Sequence, residues 1–562
     1  MLGACSPAAR EPAPQVPAAQ PPAAQPPAAK SLSPEPARVI SVLALNDLHG
    51  RITALPLFAG YVENLRALRR KSGGAVLVVD AGDMFQGSLE SNLTEGKSVL
   101  AAYRVLGMQA VALGNHEFDF GPAGDAATGD PQGALKARVA EAGFPVLSAN
   151  LIERASGQRP NWSGLSGRTM LTISGVKLGI VGALTHETPS IVMPRFFAGL
   201  DVAPIAPALA EEARALRADG AEIVLAVVHA GAKCEKFDHP HDLSSCKGNR
   251  EIFDVVEALP PGSIDAVVAG HTHAGVAHVV GNVPIVEAYS RGRAFSRLDL
   301  RFRREDKSVQ ASVFPPHDLC PDLTTMECAA GNYEGQPVRA DEKVSAAIAP
   351  ALELANSQRS QLLGPELAAP VTRAADAESP LGNLFADLTL AAVKGADAAI
   401  LNGGTLRADL PRGPLTYGAL YEAMPFDNRL AKVKLSAADL TRVLAAHFSR
   451  DEHGIVSISG LTVRARCEKG ALSLELVGKN GRRLPPTQML TIATSDYLAT
   501  GGDRLFEPAN LSEDRIDPDL GQDLREAWVS GLRLRKGVDS QALYDPKTPR
   551  LRLPSSRPVS CK

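Results

Sequence analysis

Side chains that bind metal ions follow five apolar, strand-like segments of this chain. Each segment is a short run rich in Val, Ala and Leu that ends at Gly and a polar residue, which is typical of a buried parallel strand. In open α/β sheets, ligands bind outside the carboxyl ends of the strands. We therefore expect one crevice to gather the side chains of Asp47, His49, Asp83, Asn115, His229, His271 and His273.

The types of these side chains indicate two-metal hydrolysis. Carboxylate, amide and imidazole ligands without a thiolate suit Zn, Mn, Co or Fe. Asp47 and His49 are separated by one residue, as are His271 and His273. Residues with this spacing project to the same side of an extended segment, so that the members of a pair can reach one ion. The carboxylate of Asp83 is the candidate bridge between two cations about 3.5–4 Å apart.

A second candidate group adjoins Asn115. His116 follows it, and Asp119 lies three residues further on, within reach of the imidazole ring. A carboxylate that orients an imidazole beside a reacting group is a recurring catalytic arrangement. The alternative is a His–Asp hydrogen bond that only stabilises the loop. Glu117 and Phe118 are expected to pack or to cap the turn.

Length and composition limit the class of protein. A chain of 562 residues is too long for one hydrophobic core, so we expect two domains and a tail. Its 45% apolar and 22% charged residues are typical of a globular protein. The formal net charge is −3, so the chain lacks the excess of Lys and Arg that is typical of nucleic-acid-binding proteins. No apolar run approaches the roughly 18 residues that indicate a membrane-spanning helix.

Strand-like and helical segments alternate in the first part of the chain. The runs VISVLALND, AVLVVDAGD, AVALGN and PVLSAN alternate with helical stretches such as Phe58–Lys71 and Pro207–Asp219, which predicts an α/β sheet. The segment MLTISGVKLGIVGAL predicts a hairpin that turns near Ser174-Gly175, so the sheet system is mixed.

A helix is predicted between the two domains. Residues Asp341–Leu363 have helical composition and are followed by the stop signal Gly364-Pro365. The predicted domains are therefore 38–340 and 364–555, with 341–363 as the helix and hinge between them. Residues 1–37 form a separate N-terminal segment.

The N-terminal segment and the cysteines favour export. Leu2-Gly3-Ala4-Cys5 resembles a lipobox, although no basic and apolar signal regions precede it, and a chance match is the alternative. The Pro/Ala-rich stretch that follows predicts a disordered tether. We expect a periplasmic or cell-envelope lipoprotein whose only membrane contact is a lipid on Cys5. Local disulfides are predicted for Cys234–Cys246 and Cys320–Cys328, with Cys467–Cys561 as the remaining pair; ordinary buried thiols are the alternative.

Five motifs together resemble the calcineurin-like metallophosphoesterases. They are NDLHG at Asn46–Gly50, GD at Gly82-Asp83, GNHEFD at Gly114–Asp119, HAG at His229–Gly231 and GHTH at Gly270–His273. More narrowly, the chain is similar to the bacterial 5′-nucleotidase/UDP-sugar hydrolase family. The resemblance implies a four-layer αββα sandwich joined by a helix to a second α/β domain, the C-terminal 5′-nucleotidase domain that binds the nucleoside.

The resemblance also implies roles for the metal-site residues. One of two divalent ions is held by Asp47, His49, Asp83 and His273. The other is held by Asp83, Asn115, His229 and His271. His116 stabilises charge on the phosphoryl oxygens, and Asp119 orients it. A metal-held hydroxide attacks phosphorus in line with the departing ester oxygen.

The second domain carries the residues that, by resemblance, select the substrate. Phe426 and Tyr497 form a clamp for a purine base. Asp503 accepts hydrogen bonds from the ribose hydroxyls, Asn402 contacts the base or the ribose, and Arg407 meets phosphate. Without the resemblance, an aromatic residue near a Pro or Gly turn is interpreted as packing.

The chain departs from the family pattern at the phosphate-binding arginines. The family carries one or two arginines just before the Asn-Met/Leu-Gly-Asn-Leu motif, whereas Ala375 and Ala377 stand at these positions here. Arg373 is a possible substitute. Nucleoside monophosphates, UDP-sugars and 2′,3′-cyclic nucleotides therefore stay open as substrates.

The sequence thus predicts an exported dinuclear-metal hydrolase that removes phosphate from small-molecule nucleotides. One alternative is a thiosulfohydrolase that acts on a sulfur carrier protein, which has little use for a base clamp. The other is a catalytically retired nucleotide-binding surface protein, which has little reason to retain the whole metal set.

Overall fold

The computed structural model describes residues 37–124, 129–322, 328, 330–450 and 454–561. Cys5 and nearly all of the predicted tether lie outside the described residues. In the described part of the chain, no helix combines the length and the hydrophobicity needed to cross a membrane.

The first domain is built from two large sheets, two small two-stranded sheets and the helices that connect them. Its strands are β1 (Arg38–Leu45), β2 (Ala75–Asp80), β3 (Ala110–Ala112), β4 (Val146–Leu147), β5 (Leu151–Glu153), β6 (Leu165–Ser166), β7 (Arg168–Ile173), β8 (Val176–Leu184), β9 (Leu200–Val202), β10 (Ile223–His229), β11 (Ala266–Ala269), β12 (Gly275–Val280), β13 (Val283–Ala288), β14 (Ala294–Arg303), β15 (Ser308–Asp318), β16 (Asn332–Tyr333) and β17 (Gln336–Pro337). Its helices are α1 (Leu55–Lys71), α2 (Leu89–Asn92), α3 (Lys97–Leu106), α4 (Gly133–Glu141), α5 (Thr188–Ile191), α6 (Ile205–Ala218) and α7 (Glu251–Ala258).

The two sheets stack face to face. The order is β15-β14-β1-β2-β3-β4-β6 in one and β12-β13-β11-β10-β8-β7 in the other. Ile40 and Leu77 of the first sheet share a buried core with Ile180 and Val227 of the second. Helices α1 and α3 cover the outer face of the first sheet, and α6 and α7 cover that of the second. The predicted four-layer αββα sandwich is confirmed, and its central strands are apolar because both of their faces are buried.

The predicted hairpin is present between β7 and β8. Ser174 and Gly175 form its turn with φ values of 49° and 74°, the left-handed conformation that two-residue hairpin turns require. The antiparallel β7–β8 pair and the parallel β8–β10 pair make this sheet mixed, as the sequence predicts.

The predicted linking helix is present but ends early. Helix α8 (Glu342–Arg359) begins at Asp341, whose side chain accepts a hydrogen bond from the Val344 N–H. The prediction of helix through Leu363 is wrong, because β18 (Leu362–Leu367) starts there and contains Gly364-Pro365. Exposed and buried residues alternate along LLGPEL, which is the period of a strand.

The second domain has a five-stranded sheet at its centre, ordered β22-β19-β25-β21-β26. Its further strands are β19 (Ala398–Leu401), β20 (Gly413–Thr416), β21 (Leu430–Ser436), β22 (Ser457–Ser459), β23 (Leu461–Glu468), β24 (Ala471–Gly478), β25 (Met489–Ser495), β26 (Ile516–Asp517), β27 (Gly537–Val538) and β28 (Leu551–Arg552). Its helices are α9 (Pro380–Ala392), α10 (Tyr417–Ala423), α11 (Ala437–Phe448), α12 (Asp496–Ala499), α13 (Leu524–Arg533) and α14 (Ser540–Leu543).

All three predicted cysteine pairs form disulfides. The Cα–Cα distance is 4.0 Å for Cys234–Cys246, 3.9 Å for Cys320–Cys328 and 5.3 Å for Cys467–Cys561. The last pair joins β23 to the C-terminal end of the chain. The alternative of ordinary buried thiols is therefore wrong.

Candidate metal centre and adjoining cavity

The carboxyl ends of five strands bring the seven candidate ligands together. Strands β1, β2 and β3 are parallel neighbours in the first sheet, and β10 and β11 are parallel neighbours in the second. His229 is the last residue of β10, and the other six lie in the turns that follow the remaining four strands. The crevice that the sequence predicts is therefore present at one edge of the sandwich.

The backbone at the ligands is not extended, contrary to the spacing argument. Asp47, His49, Asp83, His271 and His273 have φ values of 50°, 49°, 56°, 79° and 55°. Asp and His tolerate this left-handed region better than bulky residues, and strained conformations of this kind are concentrated at functional sites. Asp47 and His49 share one group of side chains, whereas His271 and His273 belong to different groups, which agrees with the assignment that the resemblance implies and not with the spacing argument.

The first group contains Asp47, His49, Asp83 and His273, whose ligand atoms all lie within 4.8 Å of one another. Nε2 of His273 lies 3.3 Å from Oδ1 of Asp47, and Nε2 of His49 lies 4.0 Å from Oδ2 of Asp83. All of these side chains except His273 are buried. The composition of the group agrees with the one that the resemblance implies.

The second group contains Asp83, His229 and His271. Nε2 of His229 lies 3.2 Å from Oδ2 of Asp83 and 3.0 Å from Oδ1 of Asn115. Asn115 therefore adjoins this group as predicted. Asp83 belongs to both groups, which is the position of a bridging carboxylate.

The donor atoms fit divalent cations. Nδ1 of His49 lies 2.8 Å from the Gln86 carbonyl oxygen, and Nδ1 of His229 lies 2.8 Å from another backbone carbonyl. Each Nδ1 donates its proton there, so each Nε2 directs a lone pair to the centre. Nε2 of His49 is 2.9 Å from Nε2 of His273, and Oδ1 of Asp47 is buried without a hydrogen bond. Lone pairs this close are stabilised by a cation among them.

Glu117 organises the ligand loops more extensively than a turn cap would. Its fully buried carboxylate accepts hydrogen bonds from the backbone N–H groups of Asp83, Met84 and Gly114 at 2.9, 2.7 and 2.7 Å. The loops after β2 and β3 are thereby fixed to each other. Phe118 packs as expected, with its ring edge-to-face against Phe197.

Two further carboxylates at the centre were not among the predicted residues. Oε2 of Glu187 lies 3.1 Å from Nε2 of His271. Glu287 accepts a hydrogen bond from the Thr272 hydroxyl at 2.6 Å and one from the Ala232 N–H at 3.2 Å, so it joins the loops after β10 and β11. Burial raises the pKa of Glu287 well above its ordinary value. Glu187 follows the apolar strand β8, so the strand-end pattern could have identified it.

His116 and Asp119 form the predicted pair beside the ligands. Nδ1 of His116 lies 2.5 Å from Oδ2 of Asp119, and the His116 backbone N–H donates to Oδ1 of Asp83 at 2.8 Å. Burial alone lowers the pKa of His116, but the carboxylates of Asp119 and Asp83 outweigh it and raise that pKa above its ordinary value. Asp119 thus stabilises a positive charge on the His116 ring beside the candidate metal ligands.

The predicted substrate residues share one cavity with four of the seven candidate metal ligands. The cavity has a volume of about 300 Å³ and is bounded by residues of both domains. From the second domain it is lined by Asn402, Arg407, Phe426, Tyr497 and Asp503, and from the first by Asp83, His116, Asp119, His271 and His273 among others. An interdomain site of the kind that the sequence predicts is therefore present.

Hydrogen bonds connect the predicted ribose and base residues. Asp503 accepts from the Asn402 amide at 2.7 Å and from the Tyr497 hydroxyl at 2.5 Å. Gly502 packs against the Tyr497 ring so closely that a Cβ atom there would lie 2.5 Å from it. One face of the ring is therefore covered by backbone. Phe426 also lines the cavity, and the Arg407 guanidinium lies 5.1 Å from its ring centre.

Arg373 does not line the cavity. Its side chain is exposed, and its guanidinium donates to the Leu406 carbonyl at 3.4 Å. Ala375 is also outside the cavity lining, and its carbonyl accepts a hydrogen bond from the Ile455 N–H at 2.8 Å. Arg407 is thus the arginine of this domain that faces the metal centre within the described cavity lining.

Two family models and several known proteins match the chain. Residues 40–275 match the model described as calcineurin-like phosphoesterase, and residues 360–509 match the 5′-nucleotidase C-terminal domain. The 5′-nucleotidase of Vibrio cholerae serotype O1 is 24% identical over 526 residues, which cover 87% of this chain and 90% of that protein. Endonuclease YhcR of Bacillus subtilis is 25% identical over 511 residues, 86% of this chain but only 39% of that longer protein.

Solved structures share the fold. A 5′-nucleotidase precursor from Thermus thermophilus superposes with a TM-score of 0.69 at 20% identity, covering 92% of this chain and 99% of that one. The sulfate thiohydrolase SoxB from the same organism superposes with a TM-score of 0.66 at 17% identity, covering 93% and 98%. The two-domain architecture is therefore common to phosphate-ester and sulfate-releasing hydrolases.

Proposed function

The chain belongs to the calcineurin-like metallophosphoesterases that carry a 5′-nucleotidase C-terminal domain, and from this premise we propose that it hydrolyses the phosphate ester of small-molecule nucleotides in the cavity between its domains. One observation carries the proposal. The same cavity is lined by the metal-binding groups of one domain and by the aromatic, amide and carboxylate side chains of the other. A substrate that fills it would therefore need both a phosphoryl group and a nucleoside.

Two divalent cations are proposed at the strand ends. Asp47, His49, Asp83 and His273 would hold one, and Asp83, Asn115, His229 and His271 the other. Cations held there supply Lewis acidity, which makes water nucleophilic near neutral pH and offsets phosphate charge. Zn, Mn, Co and Fe all suit these ligands.

His116 and Arg407 would bind the phosphoryl oxygens from opposite sides. Asp119 holds Nδ1 of His116 and so directs Nε2 into the cavity. Arg407 reaches the same point from the second domain. Donors that are fixed before substrate arrives stabilise developing charge without reorganisation, which is the main source of electrostatic catalysis.

Phe426 and Tyr497 would stack on the base, while Asp503 and Asn402 would bind the ribose and the base edge. Because Ala375 and Ala377 stand where the family carries one or two phosphate-binding arginines, we propose a substrate with one phosphate at Arg407, namely a nucleoside monophosphate. UDP-sugars and 2′,3′-cyclic nucleotides are the other members of the class to test.

We propose that the protein acts outside the cytosol. Its three disulfides favour an oxidising compartment. A lipid on Cys5 would hold it at a membrane, with the Pro/Ala-rich stretch as the tether. Labelling with a fatty-acid analogue, with Cys5→Ser as the control, tests the anchor.

A hydrolysis panel in which the products are separated by chromatography tests the activity, because UDP-glucose and 2′,3′-cyclic AMP are cleaved without direct release of free phosphate. Metal-loaded protein is given AMP, ADP, ATP, UDP-glucose and 2′,3′-cyclic AMP, with Mn, Co or Zn added, beside a thiosulfate-conjugated carrier protein. The highest kcat/KM should belong to a nucleotide. If the protein turned over the carrier protein but no nucleotide, it would instead be a thiosulfohydrolase. Inactivity on every substrate would indicate a catalytically retired binding protein.

A further inference from the structure

The Pro425 carbonyl is held by two amides of the other domain. Nε2 of Gln86 donates to it at 2.9 Å, and Nδ2 of Asn92 donates to it at 3.1 Å. Gln86 lies on the loop that follows β2, Asn92 is the last residue of α2 directly after that loop, and Pro425 immediately precedes Phe426. A carbonyl oxygen has two acceptor positions, so these two bonds satisfy it completely.

The loop that carries these amides is also part of the metal centre. The loop begins at Asp83, and the backbone carbonyl of Gln86 fixes Nδ1 of His49 at 2.8 Å. Oδ1 of Asn92 accepts from the Gly87 N–H at 3.0 Å, which rigidifies the loop. The backbone of Gln86 thus orients a metal ligand, while its side chain holds the residue next to the aromatic ring of the second domain.

Burial makes the contact between Gln86 and Pro425 specific. Gln86 is 2% exposed, and Pro425 is buried with it at the cavity wall. A buried amide or carbonyl that loses its partner is left unsatisfied, which costs more than the bond itself contributes. The two domains therefore have one favourable register at this point.

We propose that Gln86, assisted by Asn92, is a positioning residue that places the Phe426 ring for stacking on the base and aligns the nucleoside with the metal centre. The inference rests on the proposed function, because it needs a substrate with a base. Gln86 touches no reacting atom in this scheme. Its side chain acts on nucleotides through Phe426, whereas a phosphate ester without a base does not use it.

The test compares a nucleotide with an ester that lacks a base. Gln86→Met removes the amide at similar length and keeps the backbone carbonyl that fixes His49. For this variant, kcat/KM for AMP should fall about 5- to 50-fold, as for loss of a buried hydrogen bond. For 4-nitrophenyl phosphate it should change less than about two-fold, and metal content should equal that of the wild type. Gln158→Met, at an exposed position far from the cavity, is the matched control.

A second variant makes the test independent of one substitution. Asn92→Asp keeps the acceptor for the Gly87 N–H but replaces the donor to Pro425, so it should lower the ratio of AMP to 4-nitrophenyl phosphate turnover as Gln86→Met does. In the double variant, kcat/KM for AMP should fall by less than the product of the two single-variant factors, because both amides bind one carbonyl.

The outcomes separate the two proposals. Either of two results overturns the positioning role while leaving nucleotide hydrolysis intact. One is an unchanged ratio of AMP to 4-nitrophenyl phosphate turnover in both variants. The other is an equal loss of turnover on both substrates together with loss of bound metal. Wild-type protein that turns over 4-nitrophenyl phosphate but no nucleotide overturns the proposed function, and the positioning role with it.

Discussion

Nη2 of Arg407 lies 3.0 Å from Nε2 of His116, so each domain contributes one nitrogen to the same point above the metal ligands. In a neutral imidazole Nε2 can accept from the guanidinium. Once the imidazole is protonated, two cationic donors face each other. An anionic oxygen placed between them satisfies both. This pair therefore defines where a phosphoryl oxygen is expected.

His116→Ala should reduce turnover of a nucleotide about 10²- to 10⁴-fold, the range for a positioned acid–base or charge-stabilising side chain. Bound metal should stay nearly unchanged, because His116 lies outside both ligand groups. Steady-state kinetics and elemental analysis of the same sample check the prediction. Loss of metal would instead place His116 among the ligands.

Arg407→Ala should lower kcat/KM for AMP by about 10- to 100-fold, since a charge-assisted hydrogen bond contributes about 1.5–3 kcal/mol. Arg407→Lys should recover part of the loss, because a lysine keeps the charge but not the planar pair of donors. Arg373→Ala is the matched control and should change kcat/KM less than about three-fold, since that side chain is exposed. An equal loss in both alanine variants would show that Arg373 replaces the arginines absent at Ala375 and Ala377.

Removal of metal should abolish turnover, and replacement of the bridging residue should cause the largest loss of bound metal. Asp83 belongs to both ligand groups, whereas His273 and His271 each belong to one. Asp83→Ala should therefore bind the least metal per chain, and His273→Ala or His271→Ala should retain more. Dialysis against a chelator, followed by elemental analysis and readdition of Mn, Co or Zn, checks the order. Equal metal content in all three variants would contradict a bridging Asp83.

The convergence of the ligands could be predicted from the sequence because local patterns determine it. A buried parallel strand reads as a continuous apolar run, and the residue types that follow each run are visible in a single chain. The arrangement within the site could not be predicted in the same way. His271 and His273 fall in different groups, although Asp47 and His49, with the same spacing and a left-handed backbone as well, share one.

Residues that act through distant partners carried no local pattern. Gln86 and Pro425 are 339 positions apart in the chain, and no periodicity connects them. Glu287 lies within an apolar strand, where an isolated carboxylate indicates neither a ligand nor a structural partner until Thr272 is placed beside it. The early end of α8 had a local cause, namely the two-residue alternation of β18 that the helix prediction overlooked.

Phe426→Ala and Tyr497→Ala should each raise KM for AMP, because each loses about 1–3 kcal/mol of binding free energy from stacking on the base. Turnover of 4-nitrophenyl phosphate should be nearly unaffected, because it has no base. Phe426→Leu separates stacking from burial, since it fills the space without a ring. Equal losses on both substrates would mean that these aromatic residues only pack, the interpretation that the sequence alone favours.

Asp496 connects the domains and should make stability depend on pH. Its Oδ1 accepts from the Arg429 and Tyr497 N–H groups at 2.9 Å each. Nη2 of Arg195, in the first domain, lies 3.1 Å from Oδ2 but outside hydrogen-bonding alignment. Burial outweighs these contacts and raises the pKa of Asp496 to about 6 from an ordinary value of 3.8.

The sign of the effect follows from that direction. A carboxyl with a raised pKa holds its proton more tightly in the folded state, so its stabilising contribution is complete below about pH 4 and is lost as the pH rises through about 6. The rise of this pKa from 3.8 to about 6 corresponds to roughly 3 kcal/mol. The side chain of Asp496→Asn cannot titrate. Between pH 4 and pH 7, the free energy of unfolding of the wild type should therefore fall by about that amount relative to that of the variant. Urea unfolding of both proteins across this range measures the difference, and a constant difference would contradict the buried, protonated carboxyl.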